Sequence, residues 1–94
     1  MNQLEKFVEQ HFVTGVSKKG GWAIKLCPDF VNGIPDRLVL FNGKAFFVEL
    51  KRIKGNISKL QKYVAKLLLK FGFEVHYVFT IEEADKFIDE ILTT

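Results

Sequence analysis

An Asn-Gly pair between two apolar runs is the feature that most constrains the fold of this 94-residue chain. Asn42-Gly43 separates Arg37–Phe41 from Lys44–Leu50, and both runs are rich in Val, Leu and Phe. A two-residue Asn-Gly connection favours a type I′ turn between antiparallel strands. With these two residues as the turn, the numbers of cross-strand partners sum to 85, so Asp36 lies opposite Glu49. The sequence therefore predicts a hairpin that brings two carboxylates together on one face of a sheet.

Helices and strands alternate through the rest of the chain. Apolar residues at helical spacing predict a helix over residues 3–16, a second from near Ser58 to a stop at Gly72, and a third after a cap at Thr80. Shorter apolar runs at 22–27 and 74–79 indicate two more strands. The expected order is α-β-β-β-α-β-α. It corresponds to a single α/β domain over residues 1–94, with a mixed β-sheet flanked by helices.

The same patterns predict which side chains are buried. We expect Cys27 to be a small buried side chain and Trp22 to lie in the core or in an interface. His11 and His76 have no Cys, Asp or second His at ligand spacing, so we expect structural roles for both. The predicted buried stripe of the second helix comprises Leu60, Val64, Leu67, Leu68 and Phe71.

Charge is segregated along the chain, although the net charge is only +3. Residues 51–72 carry seven basic side chains and no acidic one. Such a block indicates an anionic partner, most often nucleic acid, although a solvated helix face is an equally simple explanation. One cysteine excludes an internal disulfide or a zinc site built on paired cysteines, and no apolar run approaches the length of a membrane span. We therefore expect a cytoplasmic protein.

The predicted hairpin also suggests a chemistry. Lys51 lies two residues beyond Glu49, so its ammonium group falls on the same face as the two carboxylates. Two acids that can bind a hard divalent cation, with a lysine beside them, suit hydrolysis of a phosphodiester. The alternative is a partly buried ion pair in which Lys51 neutralises one acid and no metal binds.

Three segments resemble the PD-(D/E)xK nucleases, and more closely their VRR-NUC branch in the short stand-alone form typical of phages. They are Gly33-Ile34-Pro35-Asp36-Arg37, Phe47-Val48-Glu49-Leu50-Lys51, and Ser58 with Gln61. The resemblance implies a PD-(D/E)xK (restriction endonuclease-like) core.

The resemblance also implies roles for individual residues. Asp36, Glu49 and the Leu50 backbone carbonyl would bind Mg²⁺ or Mn²⁺, and Lys51 would be the catalytic lysine. The first helix would supply a further acidic ligand, for which we favour Glu9 over Glu5. Gln61 would orient a water or a phosphate, unless it is simply an exposed helix residue. The basic side chains expected to contact DNA are Lys54, Lys59, Lys62, Lys66 and Lys70.

We accordingly expect a metal-dependent DNA endonuclease. Domains similar to this one are implied to act as homodimers on four-way (Holliday) junctions, with Tyr63 and Leu69 available for a dimer contact. Three alternatives stay open: a nuclease acting on flap or linear duplex DNA, a non-catalytic DNA-binding module that keeps the nuclease fold, and a protein-interaction domain whose basic helix binds an acidic partner.

Overall fold

The computed structural model describes residues 3–51 and 56–93, with side chains from residue 6 onward. Lys54 and the side chain of Glu5 lie outside the described residues. The elements are α1 (Gln3–Lys18), β1 (Trp22–Lys25), β2 (Arg37–Phe41), β3 (Lys44–Leu50), α2 (Lys59–Lys70), β4 (Val75–Val78) and α3 (Ile81–Lys86), and a π-helical turn (Phe87–Ile91) continues α3. This order confirms the predicted α/β fold. Among the described residues no helix has the length and apolar character that a bilayer span requires.

The four strands form one mixed sheet in the order β1-β2-β3-β4. The pairs β1–β2 and β2–β3 are antiparallel, whereas β3 and β4 are parallel and joined through α2. Asn42 and Gly43 form the β2–β3 turn with φ angles of 49° and 77°, the left-handed values that a type I′ turn needs. The pairs Arg37–Val48 and Phe41–Lys44 confirm the predicted register.

One face of the sheet carries the main hydrophobic core, and we call it the core face. It presents Val39, Phe41 and Val48 to helices α1 and α3, whose Phe12, Val16 and Ala84 are almost fully buried. His76 lies on this face with its ring against Phe46 and Phe87, at centroid distances of 6.0 and 5.3 Å. His11 joins the same two helices, since its Nε2 is 2.6 Å from Asp85 Oδ1. Both histidines thus make the structural contacts that were expected of them.

The opposite face, which we call the open face, is only partly covered. Helix α2 packs against β4, where Val64 and Val75 are buried outside the main core. The prediction of a buried stripe on α2 is wrong for Leu60, Leu67 and Phe71, which are 47%, 39% and 76% exposed. A helix over the edge of a small sheet buries only the residues directly above the strand. Periodicity identifies the apolar side of a helix but not the extent of its cover.

One further burial prediction is wrong. Cys27 is exposed, because it lies in the loop after β1 rather than in the strand, which ends at Lys25. Trp22 is 65% exposed, which excludes the core and leaves the interface as the prediction for this residue. It pairs with Leu40 on the open face, at the edge of the sheet away from α2.

The loop between β1 and β2 leads directly into the hairpin and is anchored at both ends. The Leu26 N–H donates to the Asp36 carbonyl at 2.8 Å, which closes the base of the loop. Gly33 adopts φ +84° and approaches α2 so closely that a Cβ there would lie 2.9 Å from Leu60 Cγ. Only glycine accommodates both the left-handed backbone and this contact. The Gly33–Leu60 contact therefore fixes the loop against the first turn of α2.

Candidate active site

A cavity of about 300 Å³ lies at the end of the sheet where β2 begins and β3 ends. Acidic, basic and amide side chains from both faces of the sheet converge there with a few apolar ones. The lining residues are Val8, Glu9, Lys25, Leu26, Pro28, Asp36, Arg37, Glu49, Leu50, Lys51 and Gln61. The structure thus brings together every described residue that the sequence analysis placed in the catalytic or metal-binding set.

The side chains of Asp36 and Glu49 face each other in this cavity, close enough for a hydrogen bond when one carboxyl group is protonated. The register of the hairpin, extended by one pair beyond Arg37–Val48, places the two residues opposite each other. Asp36 Oδ2 also accepts a hydrogen bond from the Leu50 backbone N–H at 2.9 Å. The face-to-face carboxylates that the Asn-Gly turn predicts are therefore present.

Glu49 is only 3% exposed, and its environment disfavours the ionised form. Burial is the largest cause, followed by the hydrogen bond with Asp36 and the negative charge of Asp36, and together these raise the pKa of Glu49 to about 8. The positive charge of Lys51 acts in the opposite direction but does not offset them. Lys51 alone thus does not neutralise the pair, which argues against the simple ion-pair alternative.

The donor set fits a hard divalent cation. Carboxylate and main-chain carbonyl oxygens are the ligands that Mg²⁺ and Mn²⁺ prefer. A cation between Asp36 and Glu49 would also offset the repulsion between the two carboxylates, which contributes to the raised pKa of Glu49. No three His, Cys, Asp or Glu side chains within 3–51 and 56–93 are grouped closely enough to hold a metal ion by themselves. The remaining coordination positions would belong to the Leu50 carbonyl, to water and to substrate oxygens, which is usual for Mg²⁺.

Glu9 enters the cavity from α1, but its carboxylate is engaged with an arginine rather than with the other acids. Glu9 Oε1 lies 3.4 Å from a terminal nitrogen of Arg37, and the Glu9 side chain is 22% exposed. Its position at the cavity keeps it a candidate metal ligand. The ion pair with Arg37 is a contact that the sequence analysis did not anticipate.

Arg37 is the main residue of the site that the sequence analysis missed. It is 9% exposed, and its other terminal nitrogen donates to the Ala23 carbonyl at 3.2 Å, while its buried Nε has no hydrogen-bond partner among the described residues. The alternation of β2 contained the signal. Arg37 alternates with Val39 and Phe41, which puts an arginine on the same face as two buried residues, where a charge needs a carboxylate partner.

Gln61 has a structural role that its motif also encodes. The Ser58 Oγ accepts from the Gln61 backbone N–H at 3.1 Å, and Gln61 Oε1 accepts from the Ser58 N–H at 2.9 Å. This reciprocal pair is a capping box, for which Ser-x-x-Gln is a known signature. Gln61 also lines the cavity. The cap fixes its side chain there, with the carbonyl oxygen occupied and the amide nitrogen available.

Two more side chains extend the site beyond the predicted set. Tyr77 pairs with Glu49 across the parallel β3–β4 strands, and burial, followed by the charge of Glu49, raises the pKa of Tyr77. Lys25 is exposed at the cavity and pairs with Arg37 on the neighbouring strand. The predicted basic side chains are all exposed along α2; they are Lys59, Lys62, Lys66 and Lys70. The first turn of α2 reaches the cavity through Gln61.

Comparisons with known proteins agree with this geometry. No family model matches the chain. A protein described as "Putative nuclease p44", from Acyrthosiphon pisum secondary endosymbiont phage 1, is 50% identical over 48 residues, which cover 50% of this chain and 52% of that protein. The chain thus matches about half the length of this curated relative. A solved structure described as a VRR_NUC domain superposes with a TM-score of 0.83 at 27% identity, over 95% of this chain and 98% of that one.

The two carboxylates and the lysine at the end of the central hairpin are the arrangement that the resemblance to the PD-(D/E)xK nucleases implies. The chain is similar in structure to a VRR_NUC domain, as its motifs predict, and about half of its sequence is similar to a phage protein.

The acid pair predicts how stability depends on pH in the absence of divalent cations. Because the pKa of Glu49 is about 8 in the folded protein against an ordinary 4.5, the folded state binds the proton more tightly. This contribution to stability is fully present below about pH 4.5 and is lost as the pH rises towards 8. We expect the Tm in EDTA to fall over this range, and Mn²⁺ to raise it increasingly at higher pH.

Differential scanning fluorimetry of Glu49→Gln provides the test, with the exposed Glu90→Gln as the matched control. Since about 1 kcal/mol shifts the Tm of a domain this small by about 4–8 °C, the effect is measurable. Glu49→Gln should flatten the pH dependence and abolish the Mn²⁺ effect, whereas Glu90→Gln should behave as wild type. A pH profile unaltered by Glu49→Gln would contradict the shifted pKa.

The Arg37–Glu9 contact predicts energetic coupling between β2 and α1. Arg37→Met should lower the free energy of unfolding by about 1–3 kcal/mol, because it leaves a partly buried carboxylate without its partner. Adding Glu9→Gln should recover part of that loss, with a coupling energy of about 1 kcal/mol in a double-mutant cycle measured by urea unfolding. Strictly additive effects of the two substitutions would show that the pair does not interact.

Proposed function

We propose that this chain is a Mg²⁺- or Mn²⁺-dependent endodeoxyribonuclease that hydrolyses phosphodiester bonds. The observation that carries the proposal is the carboxyl pair of the buried Glu49 and the partly buried Asp36, with Lys51 in the same cavity. An uncompensated pair of this kind costs stability, so its presence calls for a function. The names of the two similar proteins, a nuclease and a VRR_NUC domain, support the same conclusion.

In this proposal each residue has a role at the end of the hairpin. Asp36 and Glu49 would hold the cation together with the Leu50 carbonyl, and Glu9, which pairs with Arg37 in the same cavity, is a further candidate ligand. The bound ion would supply charge neutralisation at the scissile phosphate and a lowered pKa for attacking water. Lys51 orients that water and donates to the phosphate, and the free amide nitrogen of Gln61 binds a phosphate or water in the same cavity.

The α2 lysines would bind the DNA backbone. Lys59, Lys62, Lys66 and Lys70 are exposed along one helix that starts at the cavity. Lys54 belongs to the same proposed set on sequence grounds. Contacts from lysine to phosphate carry no base information, so we propose recognition of DNA shape rather than sequence. Each neutralised phosphate steepens the salt dependence of binding.

We further propose that two copies act together on branched DNA, such as four-way junctions. Four apolar side chains, Trp22, Ile24, Leu38 and Leu40, share the open face over β1 and β2, and we call them the uncovered patch. Trp22 and Leu40 are 65% and 38% exposed, and within the described part of the chain α2 packs against β4 rather than over them. A flat, uncharged sheet face suits two-fold self-association, which would present one active site to each of two symmetric strands.

Nicking assays test the nuclease. Purified protein should cleave labelled DNA with Mg²⁺ or Mn²⁺ and not with EDTA, and a panel of four-way junction, flap and duplex identifies the preferred structure. Asp36→Asn and Glu49→Gln should lower the rate by about 10³-fold, because each removes a charged cation ligand at nearly constant shape. Glu90→Gln, a matched exposed control, should retain full activity. A Glu49→Gln protein that cuts at the wild-type rate would refute the proposal, and junction binding without any cutting would favour the non-catalytic module.

Sedimentation velocity tests the dimer. Trp22→Glu places a charge in the uncovered patch, so it should convert the protein to a monomer without altering its circular dichroism spectrum. Phe7→Glu is the matched control, since Phe7 is a 53% exposed aromatic residue on α1. Wild-type sedimentation of Trp22→Glu, or equal dissociation by both variants, would exclude the patch as the interface.

A further inference from the structure

Phe30 is an exposed aromatic side chain beside the candidate active site. It is 88% exposed, the largest value among the exposed large hydrophobic residues of the described chain. Pro28, two residues earlier in the same loop, lines the cavity. Since two residues span at most about 7 Å, the Phe30 backbone lies close to the cavity rim.

The loop that presents Phe30 is held in place. The Phe30 N–H donates to the Cys27 carbonyl at 3.5 Å, and the Ile34 N–H donates to the Val31 carbonyl at 3.2 Å. The Gly33 contact with Leu60 anchors the loop to α2, and the Leu26–Asp36 hydrogen bond closes its base. Because the loop is already anchored, little conformational entropy is lost when its aromatic ring binds a ligand.

The charge around the loop selects the ligand. Leu60, against which Gly33 packs, lies between Lys59 and Gln61, so the loop adjoins both the first turn of the basic helix and the cavity. A second copy of the chain would bring the same lysines and meet like charge there. A nucleic acid can bind the lysines through its phosphates and the phenyl ring through the face of a base at the same time.

We propose that Phe30 is a base-stacking residue that binds an unstacked base at a branch point of the DNA substrate. This inference rests on the proposed nuclease function and names the feature of the substrate that the site recognises. Bases within a continuous duplex already stack on both sides, whereas bases at a branch expose a free face. Stacking on an aromatic side chain contributes about 1–3 kcal/mol per base and tolerates any sequence. Phe30 therefore favours branched DNA over linear duplex.

Binding assays in EDTA separate this role from cleavage. A four-way junction with 2-aminopurine at the branch reports stacking through its fluorescence, and a linear duplex of the same length is the reference. Phe30→Ala should weaken junction binding by about 5- to 150-fold, the equivalent of 1–3 kcal/mol, and should abolish the fluorescence change. Duplex affinity should stay unchanged. Phe30→Trp should restore both junction affinity and the fluorescence change.

Phe71→Ala is the matched control, because Phe71 is a phenylalanine of similar exposure, 76%, at the far end of α2. It should bind both DNAs as wild type. Wild-type junction affinity in Phe30→Ala, equal losses in Phe30→Ala and Phe71→Ala, or dissociation of a dimer by Phe30→Ala would each overturn the proposal. A protein that fails the nicking assay but shows the Phe30-dependent signal loses the nuclease function and keeps the stacking site, so the two failures are distinguishable.

Discussion

The close approach of two carboxyl groups, one buried and one partly buried, is the constraint on which the candidate site depends. Asp36 and Glu49 are held opposite each other by the hairpin register, and neither can move away without breaking strand pairing. Burial, followed by the hydrogen bond with Asp36 and the charge of Asp36, raises the pKa of Glu49 to about 8, so the pair keeps a proton when no cation is bound. A divalent ion would relieve the repulsion between the two carboxylates more completely. The carboxyl pair thus destabilises the folded protein, and a bound cation would offset that destabilisation. The surrounding strands and helices keep the two side chains in place.

The two faces of the sheet have different roles: the core face contributes most of the buried core, and the open face carries the candidate site. The core face, covered by α1 and α3, holds nearly all of the fully buried side chains. The open face carries the carboxyl pair, the uncovered patch and helix α2 with its lysines. Among the strands, helix α2 packs mainly against β4, and its lysines stay exposed beside the cavity. Incomplete cover of one face leaves the surface on which we propose that DNA and a second copy of the chain bind.

Local sequence signals predicted the features that local physics determines. The Asn42-Gly43 turn fixed the register and hence the Asp36–Glu49 pair, because a type I′ turn leaves no freedom in strand pairing. Ser58 was placed correctly at the start of α2, but its Ser-x-x-Gln motif was interpreted only as a family feature, whereas it also closes a capping box. The element order followed from periodicity and turns.

The burial and the partners of individual side chains depend on how helices pack on the sheet, so local sequence patterns did not predict them. The apolar pattern of α2 could not show that Leu60 and Phe71 lie beyond the edge of β4, and the partner of Arg37 could not be found until α1 was positioned. The exposure of Trp22 has the same origin, since strand alternation gives its face but not what covers that face.

A crystal structure with Mn²⁺ shows directly whether the carboxyl pair binds a cation. We expect an anomalous peak between the Asp36 and Glu49 carboxylates, with the proton that the pair holds in the absence of metal displaced. Carboxyl groups that remain hydrogen-bonded to each other at saturating Mn²⁺, with no peak between them, would contradict this expectation.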